Sequence, residues 1–194
     1  MQFKRMFTTD AYKGTRGYLR TQKTYEILRT VLYFAISLSL FIAGWVATGS
    51  RENLLTIVAV LGCLPACKSL VEMFMFLRYR GCDERAAAQI AAHSDGLTGL
   101  YAMVFTSYEK NYVIHHMTVC GNTVCGYTSD PKFSEQSFYK HIQDILKKDN
   151  YREVSVKIFN DLDKYIKRCE QLKELPAQPE LSAGICQTLK SVSL

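Results

Sequence analysis

Residues 30–48 have the sequence TVLYFAISLSLFIAGWVAT, which contains no charged side chain in 19 positions. An α-helix of about 20 apolar residues is long enough to cross the hydrocarbon core of a bilayer. Trp45 lies near one end of this stretch, where its amphipathic ring suits the boundary between lipid and water. The stretch therefore predicts a membrane-spanning helix.

A second apolar stretch follows almost at once. Residues 54–77 have the sequence LLTIVAVLGCLPACKSLVEMFMFL, and the short polar segment GSREN separates the two. So short a connection predicts an antiparallel hairpin of two transmembrane helices, 30–48 and 54–77. A cleaved signal peptide is disfavoured by the long segment that precedes the first stretch. A buried helix pair of a soluble protein is disfavoured by the length of both stretches.

The basic residues that flank the hairpin predict its orientation. Residues 1–29 carry seven Lys and Arg against two acidic residues, whereas the connecting loop carries only Arg51. Arg78, Arg80 and Arg85 follow the second stretch. Because segments rich in Lys and Arg stay in the cytoplasm, we expect a two-pass protein of the cell membrane with both termini cytoplasmic.

The basic surplus of the N-terminal segment predicts a partner for it. The formal net charge of the chain is +6, of which residues 1–29 supply +5 and residues 78–194 supply +1. A basic segment beside a membrane helix is attracted to anionic headgroups, and a near-neutral domain disfavours nucleic acid as a ligand. The lipid contacts are expected from seven side chains, which are Lys4, Arg5, Lys13, Arg16, Arg20, Lys23 and Arg29.

Two ionisable side chains, Lys68 and Glu72, lie inside the second apolar stretch. Lys68 is about 21 Å along a helix from Leu54, and so about 9 Å short of the cytoplasmic edge of a core of about 30 Å. Because they are four residues apart, the two side chains can pair on one helix face. Three interpretations stay open: a lysine that extends to the headgroups, a contact with a second copy or a larger membrane protein, and an ion or proton path.

Residues 78–175 predict a small α/β domain, and residues 176–194 a C-terminal tail. In chain order we expect a helix, three strands in an antiparallel meander, a helix, a strand and a helix. Gly121-Asn122 suits a two-residue turn between the second and third strands. The expected elements occupy 83–93, 100–107, 112–120, 123–129, 133–148, 152–159 and 161–175.

This order, α-β-β-β-α-β-α, resembles the core order of the restriction-endonuclease-like (PD-(D/E)xK) superfamily over residues 83–175. The resemblance implies an acidic residue near the second strand and an acid-x-Lys motif on the third. Strands 112–120 and 123–129 contain no Asp, Glu or Lys, and Glu109 and Asp130 lie outside them. The resemblance therefore implies a degenerate core, and a fold alone does not carry an activity.

A cluster of histidine and cysteine is predicted on the hairpin of the second and third strands. With a turn at 121–122, Cys120 pairs with Thr123, so that His116, Cys120 and Cys125 share one face. Diagonal neighbours in a sheet are about 7 Å apart, which is wide for a tetrahedral metal. The interpretations are a half-buried polar face, a metal site on these three residues, and a cysteine nucleophile beside His116.

The chain contains no phosphate-binding glycine loop, zinc-protease motif or nucleophile elbow. No catalytic residue and no cofactor is therefore predicted. We expect a membrane-anchored cytoplasmic interaction or regulatory module that is not an enzyme. The alternatives are a membrane-tethered hydrolase or nuclease, and a subunit of a small oligomeric channel or transporter.

Overall fold

The computed structural model describes residues 12–50, 53–107, 110–176 and 178–194. The predicted order of helices and strands is confirmed, and one further helix follows it. The elements are α1 (Tyr18–Thr48), α2 (Leu54–Arg78), α3 (Glu84–His93), β1 (Thr98–Thr106), β2 (Asn111–Cys120), β3 (Thr123–Tyr127), α4 (Glu135–Lys148), β4 (Ser155–Phe159), α5 (Leu162–Lys173) and α6 (Pro179–Val192).

The chain divides into two compact units. The hairpin unit contains Leu19–Arg80, and the α/β unit contains Gly81–Leu194 together with the described residues of Asp10–Tyr18. The chain therefore leaves the α/β unit at the start of α1 and returns to it after α2. In the sequence, the helix pair therefore lies between two segments of the α/β unit.

In the hairpin unit, α1 and α2 are both long and apolar enough to cross a membrane, judged by length and composition. The Asn53 side chain caps α2 by accepting a hydrogen bond from the Thr56 N–H at 2.8 Å. A Cβ atom on Gly62 would lie 2.8 Å from Ser37 Oγ, and Ala66 is fully buried. Small residues thus let the two helix backbones approach closely, as in membrane helix pairs.

The hairpin exposes apolar side chains and buries polar ones. Val46 and Leu54 are 80% and 76% exposed, whereas Thr30 and Ser69 are buried and their hydroxyl oxygens lie 2.8 Å apart. In water this arrangement would leave a large apolar surface hydrated, which soluble proteins avoid. The distribution is therefore the reverse of that in a water-soluble helix pair.

The α/β unit is built on a mixed sheet of strand order β1-β2-β3-β4. The antiparallel pairing of β1, β2 and β3 confirms the predicted meander. Strand β4 lies parallel to β3, because α4 carries the chain back across the sheet between them. Asp161 begins α5 by accepting hydrogen bonds from the N–H groups of Asp163 and Lys164.

Helices cover both faces of this sheet. On one face, α4 and α6 bury apolar side chains that include Phe138, Ile142 and Leu189. On the other face, α3 and α5 bury a smaller cluster that includes Ile90 and Tyr165. The segment expected as a tail thus contributes helix α6 to the main core, since its apolar positions recur at helical spacing.

The outer edge of β1 is covered by both ends of the domain. The Tyr101 N–H donates to the Gly14 carbonyl at 2.8 Å, and the Leu194 N–H donates to the Val104 carbonyl at 2.9 Å. Gly14 has a φ of +78°, and a Cβ there would lie 2.8 Å from Leu100 Cδ2, so this position requires glycine. Covering an edge strand prevents it from pairing with another chain.

Candidate functional site

The predicted face of histidine and cysteine side chains exists and lies beneath α5. Cys120 pairs with Thr123 and Thr118 with Cys125, which confirms the expected register. Cys120 and Cys125 belong to the smaller core cluster together with Tyr165 of α5. The face is therefore an interior surface, whereas the sequence predicted a half-buried one.

A hydrogen-bonded group of three side chains occupies the centre of this face. The Tyr165 hydroxyl oxygen lies 2.6 Å from His116 Nδ1 and 2.7 Å from Thr118 Oγ1. All three residues have no solvent exposure. A buried phenol needs hydrogen-bond partners, and these two neighbouring positions of β2 supply them.

The second ring nitrogen of His116 has no hydrogen-bond partner among the described residues. A Cβ on Gly99 would lie 2.8 Å from this Nε2 atom, and the Tyr101 ring packs edge-on at 4.3 Å. Burial lowers the pKa of His116 to about 4. The imidazole is therefore neutral at physiological pH, and it is fully buried.

Four of the five cysteines of this unit are buried, and Cys82 is partly buried. Cys120 Sγ lies 3.5 Å from the Leu172 carbonyl oxygen, and burial raises the pKa of Cys125 and of Cys169. Burial also raises the pKa of Cys82 to about 11. Because the thiolate is the nucleophile and the metal ligand, these environments disfavour both roles.

His115, which precedes His116, belongs to a different environment. Its Nδ1 atom accepts a hydrogen bond from the Ser129 N–H at 3.3 Å, and burial lowers its pKa. Within the described residues, no group of three His, Cys, Asp or Glu side chains is arranged to hold a metal. The two adjacent histidines therefore have different hydrogen-bond partners, Tyr165 for His116 and Ser129 for His115.

A second polar cluster lies between the two helices of the hairpin unit. The Arg29 guanidinium bonds Glu26 at 2.5 Å and also contacts Glu72, and its Nε donates to Ser69 Oγ at 3.3 Å. Lys68 Nζ lies 3.9 Å from Glu72 Oε1. The predicted pair of Lys68 and Glu72 is thus part of a larger network in which Arg29 is the closer partner of Glu72.

The sequence did not identify Glu26 and Arg29 as partners of Glu72. The sequence does contain a signal for this network. Gln22, Glu26 and Arg29 recur at helical spacing and form one polar stripe that leads into the apolar stretch. The Gln22 amide donates to Glu26 Oε1 at 2.9 Å, and Gln22 is fully buried. The stripe faces the other helix.

Several of the basic residues expected to contact lipid make contacts within the protein. Lys13 Nζ donates to the Ser193 carbonyl at 2.9 Å, and Lys23 Nζ donates to the Leu77 carbonyl at 3.4 Å. Arg29 belongs to the network above, and Lys4 and Arg5 lie outside the described residues. Lipid contact by this segment stays a prediction.

Comparison with known proteins gave no match to a protein-family model, to a curated protein or to a solved structure.

Proposed function

We propose that this chain is a two-pass membrane protein that anchors a binding or regulatory domain at the cytoplasmic face of the membrane. The hairpin is the anchor, and the α/β unit is the binding module. The observation that carries this proposal is the distribution of side chains in the hairpin, with apolar groups outside and the polar network inside.

The exposed surface of the two hairpin helices supports membrane insertion, because an apolar surface requires an apolar solvent. In each helix, 17% of the most apolar 18-residue window is buried, so most of that surface must meet another medium. Lipid is such a medium, because apolar side chains are not hydrated in the hydrocarbon core. Arg29, Glu26 and Ser69 satisfy one another within the hairpin, as buried polar groups in a bilayer must.

The connectivity of the two units supports a two-span topology. The α/β unit contains residues on both sides of the hairpin in the sequence. A single compact unit cannot lie on both sides of a membrane, so the chain must cross an even number of times. The basic flanks then support a cytoplasmic location for the α/β unit and both termini.

The interior of the α/β unit supports a binding role in preference to a catalytic one. The hydrogen bonds of this buried group join its side chains mainly to one another. Its members, His116, Tyr165 and Thr118, have no contact with solvent. A catalytic acid or base must reach a proton of its substrate. These side chains are better explained as a polar core that fixes α5 on the sheet.

The topology is tested in the full chain with a membrane-impermeant maleimide. Ser50→Cys lies in the loop between the helices and Gln136→Cys on the exposed face of α4, and the parent chain gives the background. We expect Ser50→Cys to label in intact cells and Gln136→Cys only in inside-out vesicles. Release of the chain from membranes by alkaline carbonate, or labelling of both sites from one side, would contradict the topology.

The element order also supports the proposal of a restriction-endonuclease-like core over residues 83–175. The Asp130 carboxylate accepts a hydrogen bond from the Lys132 N–H at 2.9 Å and so belongs to a turn, while Glu109 lies outside the described residues. Metal-dependent cleavage of DNA or RNA by the purified chain, abolished by Asp130→Ala, would overturn the binding-module proposal in favour of a nuclease.

A further inference from the structure

We propose that α2 associates with α2 of a second copy of this chain through the face that carries Lys68 and Glu72. The two copies run parallel, since every copy in a membrane has the same topology, and a two-fold axis along the membrane normal relates them. This inference rests on the membrane insertion proposed above and names a partner for the face of α2 that carries Lys68.

The first observation is that Lys68 and Glu72 are incompletely paired within one chain. Arg29 binds Glu72 through the carboxylate oxygen Oε2, whereas Oε1 faces Lys68 Nζ at 3.9 Å, beyond hydrogen-bond distance. The Lys68 side chain is 80% exposed and makes no hydrogen bond to the described residues. One carboxylate oxygen and one ammonium group are therefore available to a neighbour.

The second observation is the setting of this ammonium group. Within the apolar stretches 30–48 and 54–77, all of which the structure describes, Lys68 is the charged side chain that is mostly exposed. Charged groups at membrane depth usually face a protein partner or a water-filled cavity. Leu61 and Leu64, which precede Lys68 on α2, are 59% and 68% exposed, so apolar side chains continue this surface beyond Lys68 and Glu72.

The third observation is the spacing on α2. Leu61, Pro65, Lys68, Glu72 and Met75 recur at intervals of four, three, four and three residues, which is the seam of a two-helix coiled coil. Lys68 and Glu72 then occupy adjacent layers of the seam. In a parallel two-fold pair each layer holds the same residue of both copies, and a seam side chain also packs against the partner's residue in the next layer. The ammonium of each Lys68 therefore reaches the unused carboxylate oxygen of the partner's Glu72 from the adjacent layer.

The alternative occupant of this face is a lipid phosphate, which a long lysine side chain reaches by extending to the headgroups. A phosphate would compensate Lys68 alone. A second copy compensates Lys68 and the unused oxygen of Glu72 together, and it also covers the apolar residues of the same face. The charge pattern therefore favours the second copy.

Cross-linking locates the contact in the full chain. In a background of Cys63→Ala and Cys67→Ala, Leu61→Cys lies on the proposed seam and Phe74→Cys on a different side of α2. We expect oxidation in native membranes to give a disulfide-linked dimer with Leu61→Cys and little with Phe74→Cys. Equal yields at both positions, or none, would overturn the inference.

The role of the Lys68 charge in dimerisation is tested in vesicles of neutral phosphatidylcholine, where no anionic headgroup is present. Lys68→Met is expected to weaken dimerisation of the Leu61→Cys chain by about tenfold, and Lys68→Arg to retain it. If Lys68→Met changes only the retention of anionic lipid, Lys68 binds headgroups and the inference is wrong. Failure of the chain to remain in membranes would instead defeat the anchoring proposal.

Discussion

His116 illustrates how a single buried residue ties the sheet to a helix and also limits the stability of the domain. Its neutral ring bonds the Tyr165 hydroxyl, and its second nitrogen has no hydrogen-bond partner among the described residues. A protonated ring would hold an N–H with no acceptor in a dry interior. The native state therefore binds this proton more weakly than the unfolded chain does.

This difference predicts acid lability of the α/β unit. The pKa of the His116 side chain is about 6.5 in an unfolded chain and about 4 in the folded one. The unfolded state alone takes up the proton as the pH falls from 6.5 to 4, so the free energy of unfolding decreases by about 3 kcal/mol over that range. Stability is unaffected by this group above pH 7.

The variant His116→Asn keeps an amide near the Nδ1 position and cannot take up the proton. We expect it to be less stable than the parent at pH 7 but to lose about 3 kcal/mol less between pH 7 and pH 4. Denaturant unfolding in detergent, followed by tyrosine near-ultraviolet circular dichroism, measures the difference. The partly exposed His93→Asn is the control, and an unchanged pH dependence in His116→Asn would contradict the prediction.

At the scale of elements, the close approach of α1 and α2 depends on the absence of a side chain at Gly62. Thr30 and Ser69 bond each other further along the same interface, and Arg29 bridges both helices. Dispersion contacts and polar bonds hold membrane helices together, since lipid is as apolar as their side chains. Separation of the backbones would weaken both kinds of contact.

The variant Gly62→Val is therefore expected to destabilise the hairpin by about 2 kcal/mol, the usual cost of overpacking an interior. Trp45, the single tryptophan of the chain, lies in α1, so its emission reports on the hairpin during unfolding in sodium dodecyl sulphate. Val71→Leu enlarges a side chain that is 59% exposed and is the matched control. A Gly62→Val hairpin as stable as that control would show that the helices are not closely packed there.

At the scale of the whole molecule, the start and the end of the α/β unit are joined to each other. Lys13 donates to the Ser193 carbonyl, and its ammonium also lies 3.5 Å from the Lys190 carbonyl oxygen at the end of α6. A positive charge at a helix C-terminus is favourable. The segment that leads into α1 is thereby fastened to the last helix of the domain.

Removal of that charge in Lys13→Met is expected to lower the stability of the α/β unit by about 1 kcal/mol and to leave membrane insertion unchanged. The thermal midpoint of the detergent-solubilised chain and its retention in membranes are the two measurements. Lys167→Met, on the exposed face of α5, is the control for a lost charge. Loss of membrane retention in Lys13→Met would show that this lysine acts on the bilayer instead.

The sequence by itself determined the order of the helices and strands from α1 to α5, whereas α6 was expected as a tail. The apolar stretches 30–48 and 54–77 and the meander around Gly121 are encoded by hydropathy, spacing and turn residues within short windows. The register of Cys120 with Thr123 followed from that turn alone. These features depend on neighbours in the chain, for which local rules suffice.

Only the tertiary structure decided which distant residues meet. Two contacts join positions more than 40 residues apart, that of His116 with Tyr165 and that of Arg29 with Glu72. The hydrogen bond of Lys13 to Ser193 joins positions 180 residues apart. No periodicity links such positions, because their separation in space is set by how helices pack on one another and on the sheet. Burial and bonding of the polar side chains follow from that packing.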